Sequence, residues 1–85
     1  MYNKKYILEY VEEFNGHNPT YDKILGTICY PVYFNVNERG WFLYETGIRF
    51  DPPHRVHTSV VKDILEYPNQ IIVTTQNTRF TFTLV

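Results

Sequence analysis

The sequence predicts a mainly β protein, a single small antiparallel barrel, and two observations indicate this fold class. Short runs of β-branched and aromatic residues alternate with polar ones, and turn residues separate the runs. A chain of 85 residues has room for one domain. We therefore expect one domain over residues 1–85, with an SH3-like barrel of five or six strands in residues 27–85 and a helix or strand in residues 1–16.

The clearest strand signal is a hairpin over residues 71–84. Its second strand alternates apolar residues with Arg and Thr, so one face is apolar. A loop of two or four residues places Val73 opposite Phe80 and keeps the apolar faces of both strands together. We expect such an even loop, with Asn77 in the left-handed region that Asn tolerates. A strand near residues 63–67 precedes the hairpin and completes a meander.

Helical structure is expected at two places. Residues 3–14 have apolar side chains at helical spacing, with Asn3 as an N-cap, and we favour a helix there over the alternative of a strand. The hydroxyl of Thr58 can cap a single helical turn near residues 59–62 that plugs one end of the barrel. Residues 21–26 are either a loop or one helical turn.

The middle of the chain predicts a second hairpin. Residues 27–36 alternate well, and Pro31 indicates an edge strand or a bulge. A four-residue turn, 37–40, leads into a strand over residues 41–45, and residues 55–57 form a short strand before the helical plug. The apolar face expected for the first of these strands consists of Ile28, Tyr30, Val32, Phe34 and Val36.

Composition and charge restrict the function. Aromatic residues make up 18% of the chain and supply a dense core. The formal net charge of −1 gives no overall positive field to attract nucleic acid or an anionic membrane. Cys29 is the one cysteine, so no internal disulfide forms and a reducing compartment is implied. Glutamates interrupt the segment after Lys4 and Lys5, so we expect no signal peptide, no membrane span and a cytoplasmic protein.

Residues that could carry chemistry do not form a convincing site. His54, His57, Asp51 and His17 include good metal ligands, but His54 and His57 should point to opposite faces of one strand. Ser59 lies next to histidine in sequence only, which does not predict a catalytic geometry. We therefore expect no catalytic residue, no cofactor, no metal and no enzymatic activity.

A set of basic and aromatic side chains is the candidate binding surface. Tyr, Trp and Arg are favoured at protein interfaces, and small barrels also stack single-stranded nucleic acid on aromatic side chains beside basic grooves. We expect a protein partner, with single-stranded nucleic acid or a structural, self-assembling role as the alternatives. The candidate surface consists of Tyr33, Arg39, Trp41, Tyr44, Arg49, Arg55 and Arg79.

The last strand offers a second route to partners. If residues 79–85 form an edge strand, their unpaired backbone groups could pair with another protein or build a homodimer. The alternative is that the barrel closes there, by pairing of this strand with residues 6–12 or 27–36.

Three motifs carry a resemblance to known proteins. They are Asn37-Glu38-Arg39-Gly40-x-Phe42-x-Tyr44, His57-Thr58-Ser59-x-Val61-x-x-Ile64 and Ile71-x-Val73-x-Thr75-x-Asn77-Thr78-x-Phe80-x-Phe82. Together they cover about half of the chain. The last two resemble the ending of short uncharacterised β proteins from bacteriophages and prophages, and the first resembles the hairpin that precedes this ending. The resemblance lies in packing and turn residues and brings no catalytic or binding residue. It implies a mobile-element origin and a binding role, for example modulation of a host or phage protein.

Overall fold

The computed structural model describes residues 4–85, and in them six antiparallel strands form a closed barrel. Each strand pairs with the next in sequence, and the last pairs with the first. The predicted fold class, a small and mainly β barrel, is confirmed. The elements are β1 (Tyr6–Glu13), α1 (Pro19–Ile24), β2 (Ile28–Tyr33), β3 (Arg39–Tyr44), β4 (His54–Glu66), β5 (Gln70–Thr75) and β6 (Thr78–Leu84).

The β5–β6 hairpin has the predicted register, with Val73 opposite Phe80. The expectation that Asn77 adopts a left-handed conformation is wrong, because its φ is not positive. The side chain of Thr75 spans the turn instead. Its hydroxyl donates to the carbonyl of Thr78 at 3.0 Å and accepts from the backbone N–H of the same residue at 3.1 Å. These bonds satisfy the turn without a left-handed residue.

The predicted N-terminal helix is wrong, because β1 is a strand that pairs with β6 along its length. A bulge between Leu8 and Tyr10 shifts the register, so the inward residues fall at Tyr6, Leu8 and Val11. The spacing of three that follows Leu8 imitates helical periodicity. The expected N-cap, Asn3, lies outside the described residues.

The predicted helical turn near residues 59–62 is also wrong, because β4 runs through it without interruption. The first half of β4 pairs with β3 and the second half with β5, and both ladders contain a register shift. Strand bulges allow the bend that this change of partner needs. The hydroxyl of Thr58 caps no helix. It accepts from the backbone N–H of Gly40 at 3.1 Å.

The helical residues that enter the core belong to α1. Asn18 is its N-cap and accepts from the backbone N–H of Thr20 at 3.0 Å. Ile24 is buried in the core cluster, and the ring of Tyr21 packs edge-on against Phe80 at a centroid distance of 5.3 Å. The connection between β1 and β2 therefore contributes to the core.

The apolar face expected for β2 is largely wrong. Cys29 and Pro31 are the buried residues of this strand, whereas Tyr30 lies on the outer face. A register shift between Pro31 and Tyr33 then brings Phe34 into the core, as expected. The bulge that Pro31 indicated therefore exists, and it reverses the faces on its two sides.

Four phenylalanine rings fill the middle of the barrel. The ring of Phe42 lies 5.5 Å from that of Phe80, 5.2 Å from that of Phe82 and 6.5 Å from that of Phe34, measured between centroids. The first two contacts are edge-to-face, the arrangement that aromatic pairs favour. A barrel of this size is filled by side chains, so functional groups must lie on its outside or at its ends.

Closure of the barrel corrects the expectation of a C-terminal edge strand. Backbone bonds join β6 to β5 on one side and to β1 on the other, as in the alternative of closure through residues 6–12. A homodimer formed by pairing of an unpaired β6 edge is therefore not available to this fold. Within residues 4–85 no helix is long and apolar enough to cross a membrane.

Candidate binding face

Two rows of large side chains lie across the outer face of β2, β3 and β4. Gly40 and Phe42 are buried in β3, so the residues between and after them point outward. The strand register then sets each outward residue of β3 between one residue of β2 and one of β4. We call this surface the Trp41 face, and its rows are Tyr33–Trp41–His57 and Tyr30–Leu43–Arg55.

Trp41 lies at the centre of this face. The guanidinium of Arg55 lies over its indole ring, 4.2 Å from the centroid, and the ring of His57 lies 6.4 Å from it. Arg55 is the diagonal neighbour of Trp41, two residues along β4 from the directly paired His57. The cation–π contact keeps the long Arg55 side chain on the ring surface.

Carboxylates lie at both ends of the Trp41 face and accept from its tyrosines. The hydroxyl of Tyr33 donates to Glu38 at 2.9 Å, and that of Tyr30 donates to Glu45 at 2.6 Å. The bond to the Glu45 carboxylate raises the pKa of Tyr30. Both phenols are therefore fixed as donors, and the face carries mixed rather than uniform charge.

The structure brings together four of the seven residues predicted for the binding surface. Tyr33, Trp41 and Arg55 lie on the Trp41 face, and the exposed Arg39 precedes it on β3. Tyr44 instead packs against the core, and its ring contacts that of His54 at 5.6 Å.

The two remaining arginines lie apart from this face. The guanidinium of Arg49 lies 4.9 Å from the ring centroid of Phe50 in the β3–β4 loop. Arg79, on β6, lies 3.7 Å from a carboxylate oxygen of Glu12 and 5.7 Å from the ring centroid of Phe14. Arg79 therefore belongs to the β1–β6 side of the barrel.

Sequence reasoning missed three residues of the Trp41 face: Tyr30, Leu43 and His57. The alternation places Tyr30 on the apolar face of its strand, because the reversal of faces at Pro31 is not visible in it. His57 was considered as a metal ligand and not as a neighbour of Trp41. Alternation in β3 alone was a usable signal, since Leu43 follows Trp41 by two residues.

The histidines considered as metal ligands do not converge. His54 Nε2 lies 3.3 Å from Asp51, whereas His57 lies beside Trp41. His17 lies between Glu13 at 3.0 Å and Asp22 at 2.7 Å, each carboxylate facing a different ring nitrogen. Among the residues that the structure describes, no group of three or more acidic, histidine or cysteine side chains is placed to hold a metal ion.

Two groups that could act as nucleophiles, the Cys29 thiol and the Ser59 hydroxyl, lie in surroundings that do not activate them. Burial raises the pKa of the Cys29 thiol to about 11, so the reactive thiolate is scarce near neutral pH. The hydroxyl of Ser59 accepts from the backbone N–H of Asn77 at 3.3 Å, next to the β5–β6 turn. Neither residue is hydrogen-bonded to a histidine in residues 4–85.

A polar pocket of about 290 Å³ lies where β1 and α1 meet the β5–β6 turn. Its polar groups bond to one another: Glu13 accepts from the backbone N–H of Asn18 at 2.7 Å, and the Asn15 amide donates to Asn77 at 3.2 Å. Among the described residues no buried side-chain polar atom lacks a hydrogen-bond partner, so no such atom marks the pocket as a ligand site. Its lining residues are Glu13, Asn15, Gly16, His17, Asn18, Tyr21, Asn77 and Thr78.

Comparison with known proteins adds no assignment, since no family model, no curated protein and no solved structure matches the chain. The SH3-like type, which is more specific than a small six-stranded barrel, stays a prediction.

Proposed function

We propose that this protein is a non-enzymatic binding module and that the Trp41 face binds another protein. The observation that carries the proposal is the half-buried Trp41 with the Arg55 guanidinium 4.2 Å above its ring. Trp, Tyr and Arg contribute most of the binding energy at many protein interfaces. On this face all three types are neighbours on rigid strands, so little side-chain freedom is lost on binding.

The charge of the face favours protein over nucleic acid as the partner. Arg39 and Arg55 are balanced by Glu38 and Glu45, the two carboxylates that hold the tyrosine hydroxyls. A phosphate backbone is attracted by an excess of positive charge, and these carboxylates remove that excess. A protein surface of mixed polarity fits the face better.

The biological setting of the proposal is a mobile element. The resemblance of three motifs to short phage and prophage proteins supports it, and one of these motifs spans the β3 residues on both sides of Trp41. In this setting the partner is a bacterial or phage protein in the cytoplasm, whose activity the module modulates.

The experiment is capture from a nuclease-treated bacterial lysate, with Trp41→Ala and Arg55→Ala as variant baits. We expect Trp41→Ala to capture at least about tenfold less of each protein that the wild type retains. Arg55→Ala should reduce the captured amount by a smaller factor. Tyr67→Ala is the matched control, because Tyr67 is an exposed aromatic residue beyond β4, away from this face. Equal retention by all baits contradicts the proposal, provided that circular dichroism shows each variant folded.

Single-stranded nucleic acid is the second candidate ligand, favoured by the stacked Trp41 and Arg55 side chains. Fluorescence anisotropy with a labelled oligothymidine tests it. Binding that weakens steeply with salt and disappears in Trp41→Ala would support nucleic acid over protein. Concentration-dependent self-association, with no ligand retained, would instead support a structural, self-assembling component.

A further inference from the structure

The most exposed large apolar side chain among residues 4–85, that of Phe50, lies in the loop between β3 and β4, and Ile48 in the same loop is also exposed. Phe50 is 90% exposed and Ile48 is 68% exposed. An apolar side chain that faces water adds little buried apolar area to the folded state, so packing of the core does not explain why either residue is apolar. The loop leaves β3 directly after the Tyr44–His54 pair, the last of the β3–β4 ladder.

The backbone holds Phe50 in an unfavourable conformation. The N–H of Asp51 donates to the carbonyl of Ile48 at 3.1 Å, which closes a four-residue turn with Arg49 and Phe50 at its centre. Phe50 has a φ of 67°, and a positive φ at this third position defines a type II turn. Glycine or asparagine is expected there, and a bulky residue is strained.

Contacts within the loop keep the turn in this shape. The hydroxyl of Thr46 donates to the Asp51 carboxylate at 2.8 Å and accepts from the backbone N–H of Ile48 at 3.2 Å. The same carboxylate lies 3.3 Å from His54 Nε2. Pro52 and Pro53 follow immediately and restrict the return to β4. The Phe50 ring is therefore presented by a pre-organised loop rather than by a flexible one.

We infer that Phe50 is an anchor that inserts into an apolar pocket of the partner protein, with Ile48 against the rim and Arg49 facing a carboxylate at the pocket mouth. Strained and exposed residues that a rigid frame maintains are characteristic of binding sites. The Arg49 guanidinium lies 4.9 Å from the centroid of the Phe50 ring, and among the described residues it has no ion pair, so its charge is available to a partner beside the anchor. This inference rests on the proposed function, because the anchor extends the same hairpin whose strands form the Trp41 face.

The charge of the loop favours a protein as the occupant rather than lipid or nucleic acid. Glu45 and Asp51 flank Arg49, so the segment has no excess of positive charge. Phosphate groups on a membrane or a nucleic acid are held by several basic groups, and this loop offers one. A single aromatic ring beside one cation fits a desolvated pocket with one acidic group at its edge.

Two substitutions of Phe50 separate the contribution of its ring to binding from the backbone strain at its positive φ. Phe50→Ala removes the ring and keeps a side chain at positive φ, whereas Phe50→Gly removes both. We expect Phe50→Gly to raise the midpoint of thermal unfolding by about 4 °C, because glycine adopts this φ without strain. Phe50→Ala should not raise it. An unchanged or lower midpoint for Phe50→Gly would remove the premise of a strained anchor.

Binding is tested with the full-length protein as a tagged bait in nuclease-treated bacterial lysate, followed by affinity measurement with each retained protein after purification. The baits are the wild type, Phe50→Ala, Phe50→Gly, Trp41→Ala and the control Tyr67→Ala. The expected result is a protein bound by the wild type and the control but at least about tenfold more weakly by both Phe50 variants. The inference is wrong if every retained protein binds the Phe50 variants as tightly as the wild type. It is also wrong if the wild type retains no protein.

The outcomes also separate this inference from the proposed function. A partner lost with Trp41→Ala but kept by both Phe50 variants leaves the Trp41 face in place and overturns the anchor. A partner lost with the Phe50 variants but kept by Trp41→Ala supports the anchor and overturns the face. Co-sedimentation with vesicles of phosphatidylcholine and phosphatidylglycerol tests lipid as the ligand of the loop. If vesicle binding depends on Phe50 and no protein binds in a Phe50-dependent way, the loop binds lipid and the inferred protein partner is wrong.

Discussion

Gly40 is a buried residue of β3 and lies against the ring of Phe34. A Cβ atom at this position would lie 2.4 Å from Cδ1 of Phe34 and 2.8 Å from the carbonyl oxygen of Tyr33. Neither neighbour can move easily, because the Phe34 ring is buried and the Tyr33 oxygen is backbone. Of the four glycines, Gly40 is the one required by lack of space rather than by a positive φ.

We predict that Gly40→Ala lowers the free energy of unfolding by about 1–3 kcal/mol, the usual cost of overpacking a core. Urea unfolding followed by circular dichroism measures the change. The double variant with Phe34→Leu tests the cause, since leucine removes ring atoms that the new methyl group would meet. The double variant should lose less stability than the sum of the single ones. An unchanged urea midpoint for Gly40→Ala would contradict the prediction.

At the scale of elements, His17 joins the end of β1 to α1. Its Nδ1 lies 3.0 Å from Glu13 and its Nε2 lies 2.7 Å from Asp22. A neutral imidazole has one N–H and can donate to one carboxylate, whereas the imidazolium can donate to both. The bond to Asp22, followed by that carboxylate's charge, raises the pKa of His17 above 6.5 although the ring is exposed.

The raised pKa predicts a pH dependence of stability. Because the folded protein holds the proton more tightly than the unfolded chain, the contribution is fully present below pH 6.5 and is lost as the pH rises through the higher folded pKa. Urea midpoints between pH 6 and pH 8 should therefore fall more in the wild type than in His17→Gln. Equal pH dependence of the two proteins would show that the bridge contributes nothing.

At the scale of the whole molecule, stability rests on a small aromatic core. Phe42 is fully buried and contacts the rings of Phe34, Phe80 and Phe82, which come from both halves of the barrel. A domain of this length buries a modest share of its surface, so few side chains carry most of the apolar burial. Closure between β1 and β6 holds these rings in one enclosed space.

We predict that Phe42→Ala costs about 3–5 kcal/mol, a large part of the about 5–15 kcal/mol that stabilises a typical domain. Near-ultraviolet circular dichroism and urea unfolding should show a protein close to unfolding. Phe14→Ala is the matched control, because Phe14 is 41% exposed and outside the core. Similar losses from both substitutions would mean that Phe42 is not central to the core.

The candidate site was predictable in composition but not in arrangement. The sequence indicated the aromatic and basic types and named Tyr33, Arg39, Trp41 and Arg55, which share one side of the barrel. It also grouped with them the inward Tyr44 and the distant Arg79. Which face a side chain occupies changes at a bulge. Pro31 indicates a bulge in β2, but the alternation of residues does not show where the register shifts.

The sequence by itself determined the β class, the turn between the last two strands and the register of that hairpin, since alternation and turn chemistry are local properties. The predicted turn over residues 37–40 was wrong in its second half, because β3 begins at Arg39. The tertiary structure alone decided that residues 6–13 are a strand, that β4 continues through residues 59–62, and that β6 has no free edge. Each of these depends on hydrogen bonds to strands distant in the chain. Non-local pairing of this kind overrides weak local helical preferences, because every backbone group inside a closed barrel must find a partner.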